Sequence, residues 1–222
     1  MNIIDFWFLD SVSGCRLPVF AVRLPNIGEI LNRPGHGLSA AEIAGRLRRL
    51  LDAGLLALFS REGGEPMPPP GDEELEALLE PPHARGFRPS FLEGDRLYGL
   101  TQAGGERWEA AVAADWSRFT TIGMGIEPDR CEVAAASEAR LVEAMGFTSA
   151  VWDGHIWDPR DVRFERLEPW RPVYWKELPL GWRATYPLIR LSDSKGGRPD
   201  SRRRQALDRY WRFARWKKSG DA

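Results

Sequence analysis

The residues best placed by type and spacing to do chemistry are His155 and the carboxylates around it, in Asp153-Gly154-His155-Ile156-Trp157-Asp158-Pro159-Arg160-Asp161. A histidine changes charge near neutral pH, and beside carboxylates it can act as a general base or hold a metal ion. The sequence around it offers no nucleophile and no second ligand, and His36 and His83 lie far from it. The bland reading of the same stretch is an aspartate-rich turn with an exposed histidine. Signatures of other chemistries are missing: there is no Cys-x-x-Cys, His-Glu-x-x-His, Gly-x-Ser-x-Gly or Walker-type glycine loop. Gly123-Met124-Gly125 and Lys195-Gly196-Gly197-Arg198 are turns without the surroundings such loops need. These residues predict a protein that is not an enzyme and that holds no metal or cofactor.

Binding chemistry is better represented. From Lys195 to Ala222, ten Lys and Arg face three Asp, a net charge of +7, which leaves -8 on the rest of a chain whose total is -1. An acidic body with a basic tail points to an anionic partner, and equally to a tail folded back on its own body. The tail reads as a helix from about residue 200 to 218, with Leu207, Tyr210, Trp211 and Ala214 on one stripe. On its other side, Arg202, Arg209 and Arg212 can pair with phosphates and Trp216 can stack on an exposed base. Trp152, Trp157, Trp170, Trp175 and Trp182 read as core, or, if they line a concavity, as a pocket for a planar or apolar ligand.

Length and composition bound the remainder. In 222 residues, 43% hydrophobic and 28% charged, there is material for one large or two small globular domains. No apolar run approaches the roughly 20 residues that span a bilayer. Asp5 and Asp10 interrupt the apolar start and no basic region precedes it, so a cytoplasmic protein with no membrane partner is expected. Cys15 and Cys131 read as reduced, mostly buried thiols.

The elements that must position these groups begin with a short helix over residues 3–13, which buries Phe6, Trp7, Leu9 and Val12. A short strand is expected from Leu17 to Arg23, where Pro18 restricts it to an edge or a start. One or two helical turns follow at Ile27–Leu31. The firmest element runs from Ser39 to Ala53. Ser39 and Glu42 have the spacing of a capping box, Ile43, Leu47, Leu50, Leu51 and Leu55 form an apolar stripe, and Gly54 stands where a left-handed residue closes the helix. Opposite that stripe lie Ala41, Glu42, Gly45, Arg48, Arg49 and Asp52, a face of mixed sign.

Leu55–Phe59 and Arg96–Leu100 read as strands on either side of a Pro-rich, acidic insert, residues 61–95. Within it, Asp72–Glu80 is a short helix between two flexible arms, and Met67–Pro70 is extended. Thr101 caps a further helix whose glycines, Gly104 and Gly105, allow close backbone approach. The same helix continues along one face through Trp108, Ala111, Val112, Asp115, Trp116 and Phe119, a face broad enough to need cover from the core, the second half or another subunit, as in a homodimer. Thr120–Asp129 breaks the periodicity and separates domains 1–120 and 121–222. In the second, a strand at Arg130–Ala135, a helix from Ser137 closed at Gly146, a loop at Val151–Trp157, and strands at Arg163–Leu167, Val173–Leu178 and Gly181–Leu188 predict a small α+β unit. The last two strands are expected to form a hairpin through Pro179-Leu180.

This order of elements, with Leu50-Leu51-Asp52-Ala53-Gly54-Leu55-Leu56 and Tyr98-Gly99-Leu100-Thr101-Gln102-Ala103-Gly104 at its helix and strand junctions, resembles the winged helix-turn-helix fold of many bacterial regulators over residues 3–119. The resemblance implies an α+β protein with an N-terminal winged-helix domain, an extended acidic wing insert, a small C-terminal α+β domain and a basic terminal helix. It further implies that the Ser39 helix enters a DNA major groove with Arg48 and Arg49 outward, in transcription regulation. The sequence departs from that pattern in Glu42, Asp52 and an acidic wing, since DNA demands a net basic contact. A protein-interaction or immunity-type module of the same shape, binding a partner through residues 64–94, is the other expectation.

Overall fold

A computed structural model describes residues 2–31, 34–62, 64–81, 96–124, 130–151, 155–156, 158–187 and 189–190. The chain divides into two compact units, one of residues 1–111 with Val173–Trp175 and one of 112–172 with 176–222. The architecture is α+β with antiparallel sheets.

Unit one runs α1 (Ile3–Ser11), β1 (Leu17–Pro18), a 3-10 turn (Val19–Arg23), α2 (Ile27–Ile30), α3 (Ala40–Asp52), β2 (Leu56–Ser60), β3 (Pro66–Met67), α4 (Asp72–Leu79), β4 (Arg96–Leu100) and α5 (Gln102–Val112). Its strands lie in the order β1-β4-β2-β3. Instead of a strand to Arg23, only Leu17 and Pro18 pair, with Tyr98 and Leu97. Proline brings no N–H to a ladder, and the chain after Pro18 coils into a 3-10 turn whose Val19, Phe20, Ala21 and Val22 are all buried.

α3 forms as its residues dictate. Ser39 N–H donates to Glu42 Oε2 at 2.8 Å and Ser39 Oγ accepts from Glu42 N–H at 3.4 Å, closing the capping box. At the other end Gly54 (φ 64°) donates to Leu51 O at 2.9 Å and Leu55 N–H to Leu50 O at 3.0 Å, the paired bonds of a Schellman stop. The chain then enters β2, which pairs with β4 from Leu56↔Leu100 to Ser60↔Arg96. Thr101 Oγ1 donates to Gly54 O at 2.6 Å and accepts from Gly104 N–H at 3.0 Å, so one hydroxyl joins the end of α3 to the start of α5. Gly104 is required there, since a Cβ would stand 1.8 Å from Leu55 O. α5 ends at Val112, Ala113 takes φ 49°, and Trp116–Arg118 is a separate 3-10 turn, so the long continuous face expected through Phe119 is broken.

Beneath the sheet Trp108 is fully buried and its Nε1 donates to Asp10 Oδ1 at 2.8 Å. Tyr174 belongs to this unit: its hydroxyl donates to Val12 O at 2.8 Å and accepts from Leu100 N–H. Trp175 Nε1 donates to Ser13 O at 2.8 Å. The Arg16 guanidinium lies 3.7 Å from the centre of the Phe59 ring and 4.9 Å from that of Tyr174.

Unit two contains β5 (Thr120–Met124), β6 (Arg130–Ala135), α6 (Glu138–Val151), β7 (His155–Ile156), a 3-10 turn (Pro159–Asp161), β8 (Arg163–Leu167), β9 (Trp170–Val173, its last residue counted with unit one), β10 (Lys176–Leu178), β11 (Gly181–Pro187) and β12 (Ile189–Arg190). The main sheet has the order β5-β6-β11-β8, and β9 with β10 and β7 with β12 make two-stranded pairs. Its core is Cys131, Val133, Leu141, Met145, Ala184 and Tyr186 with their small neighbours, α6 packed on one sheet face.

Three expectations for this unit are corrected. Thr120–Met124 is a strand on β6, because a glycine at Gly123, where a Cβ would meet nothing, does not prevent edge pairing. α6 passes through Gly146 to Val151: a mid-helix glycine costs only about 1 kcal/mol, and Leu141, Ala144 and Met145 anchor the helix to the sheet. The expected strand at Val173–Leu178 is interrupted at Tyr174 and Trp175, and β10 pairs with β9 while β11 joins β6 and β8, so no Pro179-Leu180 hairpin forms.

Candidate functional site

The surface of unit one built around α3 is where the expected contacts fall, and its charges can be followed residue by residue. Ala41, Glu42, Gly45, Arg49 and Asp52 are exposed there. Glu42 is held by its own cap, and the Ser39 hydroxyl and N–H that donate to it pull its carboxyl below the usual range. Arg49 Nε reaches back to Gly45 O at 3.4 Å.

Arg48 does not stand outward with Arg49. It is partly buried; Nη1 donates to Pro70 O at 2.6 Å and Nη2 lies 2.9 Å from Asp72 Oδ1. This ties α3 to the start of α4. Along α4, Leu75 and Leu79 are each 2% exposed and pack against α3 and the Val19–Arg23 turn. The helix expected between flexible arms is therefore docked by its leucine stripe. Before it, Pro66 and Met67 form β3 on β2, which is the extended segment expected at Met67 carried into a sheet. Arg23 pairs with Glu80 at the far end of α4, and Arg96 Nη2 lies 3.3 Å from Glu74 Oε1. Asp72, Glu73, Glu74, Glu76 and Glu80 all remain exposed.

The docked α4 thus sets a dense acidic surface beside the exposed face of α3. Glu73 and Glu76 carry no ion pair among the described residues. The contribution of Arg23 and Arg96 was not visible in the sequence; only the spacing of Leu75 and Leu79 announced that α4 would bury a face.

The remaining candidates fall elsewhere. Arg202, Arg209, Arg212 and Trp216, with the whole basic tail, lie outside the described residues, as do Trp152 and Trp157. Trp175 is buried in unit one, while Trp170 is buried in unit two and Trp182 packs against the core there. His155 lies in β7 opposite Arg190 of β12, in what the sequence suggested was a loop. Asp158 serves the next turn: its Oδ1 accepts from Arg160 N–H at 2.9 Å, and the Arg160 guanidinium holds its carboxyl down at about 2. His36 is structural, since its Nδ1 accepts from Leu38 N–H at 3.0 Å and its Nε2 lies 2.8 Å from Val22 O, which fixes the Nε2–H tautomer.

Among the described residues, no three His, Cys, Asp or Glu gather as a metal site, and no helix is long and apolar enough to cross a membrane. Neither cysteine forms a disulfide; Cys131 is buried, which pushes its thiol up, whereas Cys15 is exposed, contrary to the expectation of buried thiols. Comparison with protein-family models, curated proteins and solved structures finds no match to this chain.

Proposed function

We propose that this chain is a non-enzymatic binding protein whose unit one has the winged-helix shape and uses it to capture a basic protein partner. Support for the shape comes from the order α1, β1, α2, α3, β2, β4 and from the central β1-β4-β2 arrangement, with β3 and α4 as the enlarged wing. The observation that carries the protein reading is the docking of α4 on α3 through Leu75 and Leu79. It leaves Glu73 and Glu76 exposed on a helix packed against α3. An exposed acidic helix suits a basic protein surface, because complementary charge steers and orients association.

Glu73→Lys with Glu76→Lys tests this, with a thermal melt to confirm folding, since both side chains are exposed and make no ion pair among the described residues. A partner recovered by cross-linking with the wild-type chain, purified, and titrated against both forms is expected to lose about tenfold or more in affinity to the double variant. Equal affinity would reject the reading.

Duplex DNA in a regulatory role is the second reading, favoured by the +7 net charge of Lys195–Ala222. In it, Arg202, Arg209 and Arg212 contact phosphates, Trp216 stacks, and Arg49 is the exposed cation of α3. Reversing Arg209 and Arg212 to glutamate should then abolish low-salt duplex binding and lower the salt slope by about 2.

A further inference from the structure

The main sheet of unit two carries an open cleft of about 330 Å³ lined by Arg130, Arg160, Asp161, Val162, Arg163 and Pro187. Topology explains why three arginines meet. β6 and β8 flank β11 and both run antiparallel to it, so their first residues, Arg130 and Arg163, arrive at the same end of the sheet. Arg130 pairs with Pro187 and Arg163 with Thr185. Directly paired residues project to one face, as do residues two apart on a strand, so Arg130, Arg163 and Pro187 share the face opposite the buried Cys131, Val133, Ala184 and Tyr186. The Pro159–Asp161 turn feeds straight into β8 and brings Arg160 to the same rim.

The cleft lining holds three arginines against one carboxylate, and the carboxylates on the neighbouring sheet face are engaged. Glu165 pairs with Arg183, whose Nη1 also lies 3.6 Å from Glu132 Oε2, in the middle of the sheet face. Asp158 takes Nε of Arg160, at 3.0 and 3.1 Å, and also Nη2, at 2.5 Å, leaving the Nη1 end of a five-donor guanidinium. Asp161 is the one carboxylate in the lining. The Arg163 side chain is exposed and makes no hydrogen bond or ion pair among the described residues. Arg130 has a partner of its own, and like Arg160 it has more donors than one partner uses. Clustered guanidiniums repel one another until an anion with several acceptor oxygens enters, and planar forks match phosphate oxygens in pairs. The volume is within the range of a small-ligand site.

We propose that this cleft binds a phosphate group, its oxygens held by Arg130, Arg160 and Arg163. The group comes either from a free phosphate ester or polyphosphate or from a nucleic-acid backbone. The cleft shares no residue with the α3–α4 surface, so loss of partner capture leaves it intact.

Titration of the full chain with inorganic pyrophosphate by calorimetry, at about 10 mM salt where screening is weak, is expected to show a saturable site. Arg163→Gln, at an exposed position, should weaken it about tenfold or more. Arg166→Gln, on the other face of the same strand, should leave it unchanged. A single-stranded oligonucleotide that displaces pyrophosphate and also weakens in Arg163→Gln assigns the phosphate to nucleic acid; pyrophosphate binding without displacement assigns the free ester. No saturable binding of either probe, or binding equal in wild type, Arg163→Gln and Arg160→Gln with unaltered thermal melts, overturns the proposal.

Discussion

Tyr174 stands 162 residues from Val12 in sequence, yet its hydroxyl satisfies the Val12 carbonyl and the Leu100 N–H inside unit one. Tyr174→Phe leaves both backbone groups without that partner, so thermal or chemical denaturation should show a loss of about 1–3 kcal/mol. Burial pushes the Tyr174 hydroxyl well above its ordinary value. A group whose proton is held more tightly in the folded state stabilises fully below its unfolded value, about pH 10, and that stability is lost as pH rises further. Wild-type stability should therefore fall above pH ~10 more steeply than that of Tyr174→Phe. The opposite sign governs the α3 cap, where the Glu42 carboxyl is lowered by Ser39. That contribution is present at neutral pH and disappears on acidification through the carboxylate range. Ser39→Ala should cost about 1 kcal/mol at pH 7, measured by denaturant melts, and the difference should shrink below pH ~4.

Among the elements, α4 separates a loose insert from a docked one. Leu75→Ala or Leu79→Ala should destabilise unit one by about 2–5 kcal/mol, the cost of deleting a buried leucine and leaving a cavity, whereas a mobile arm would lose almost nothing. For the same reason, removal of residues 64–94 should destabilise unit one, not merely erase a binding surface. The helices and strands of unit one were largely legible because their signals are local: the Ser39 cap, the α3 stripe, Gly54, and Thr101 ahead of Gly104. What failed were elements decided by distant partners. Val19–Arg23 coils in the core instead of extending β1, and β10 turns to β9 instead of β11. The α4 leucine spacing was legible, but nothing local reveals that Arg48, Arg23 and Arg96 would receive its acids.

Across the whole molecule, charge is the clearest functional signal. Residues 1–111 hold sixteen Asp and Glu against eleven Arg, a net -5, and the excess is concentrated where α4 lies beside α3. The arginine cleft of unit two escaped sequence reasoning because Arg130 lies some thirty residues before Arg160 and Arg163 in the chain, and only strand register brings it to them. His155 drew notice instead, since histidine is the residue whose chemistry is easiest to imagine, although the neighbouring Asp158 is engaged by Arg160. Under the proposed function, the α3–α4 surface meets protein and not DNA. Fluorescence anisotropy of a random duplex across salt, comparing the wild-type chain with Arg49→Glu, tests it most directly. Affinity and salt slope should agree within about twofold, since no phosphate contact is lost; a drop of about tenfold with a slope lower by about 1 would contradict it.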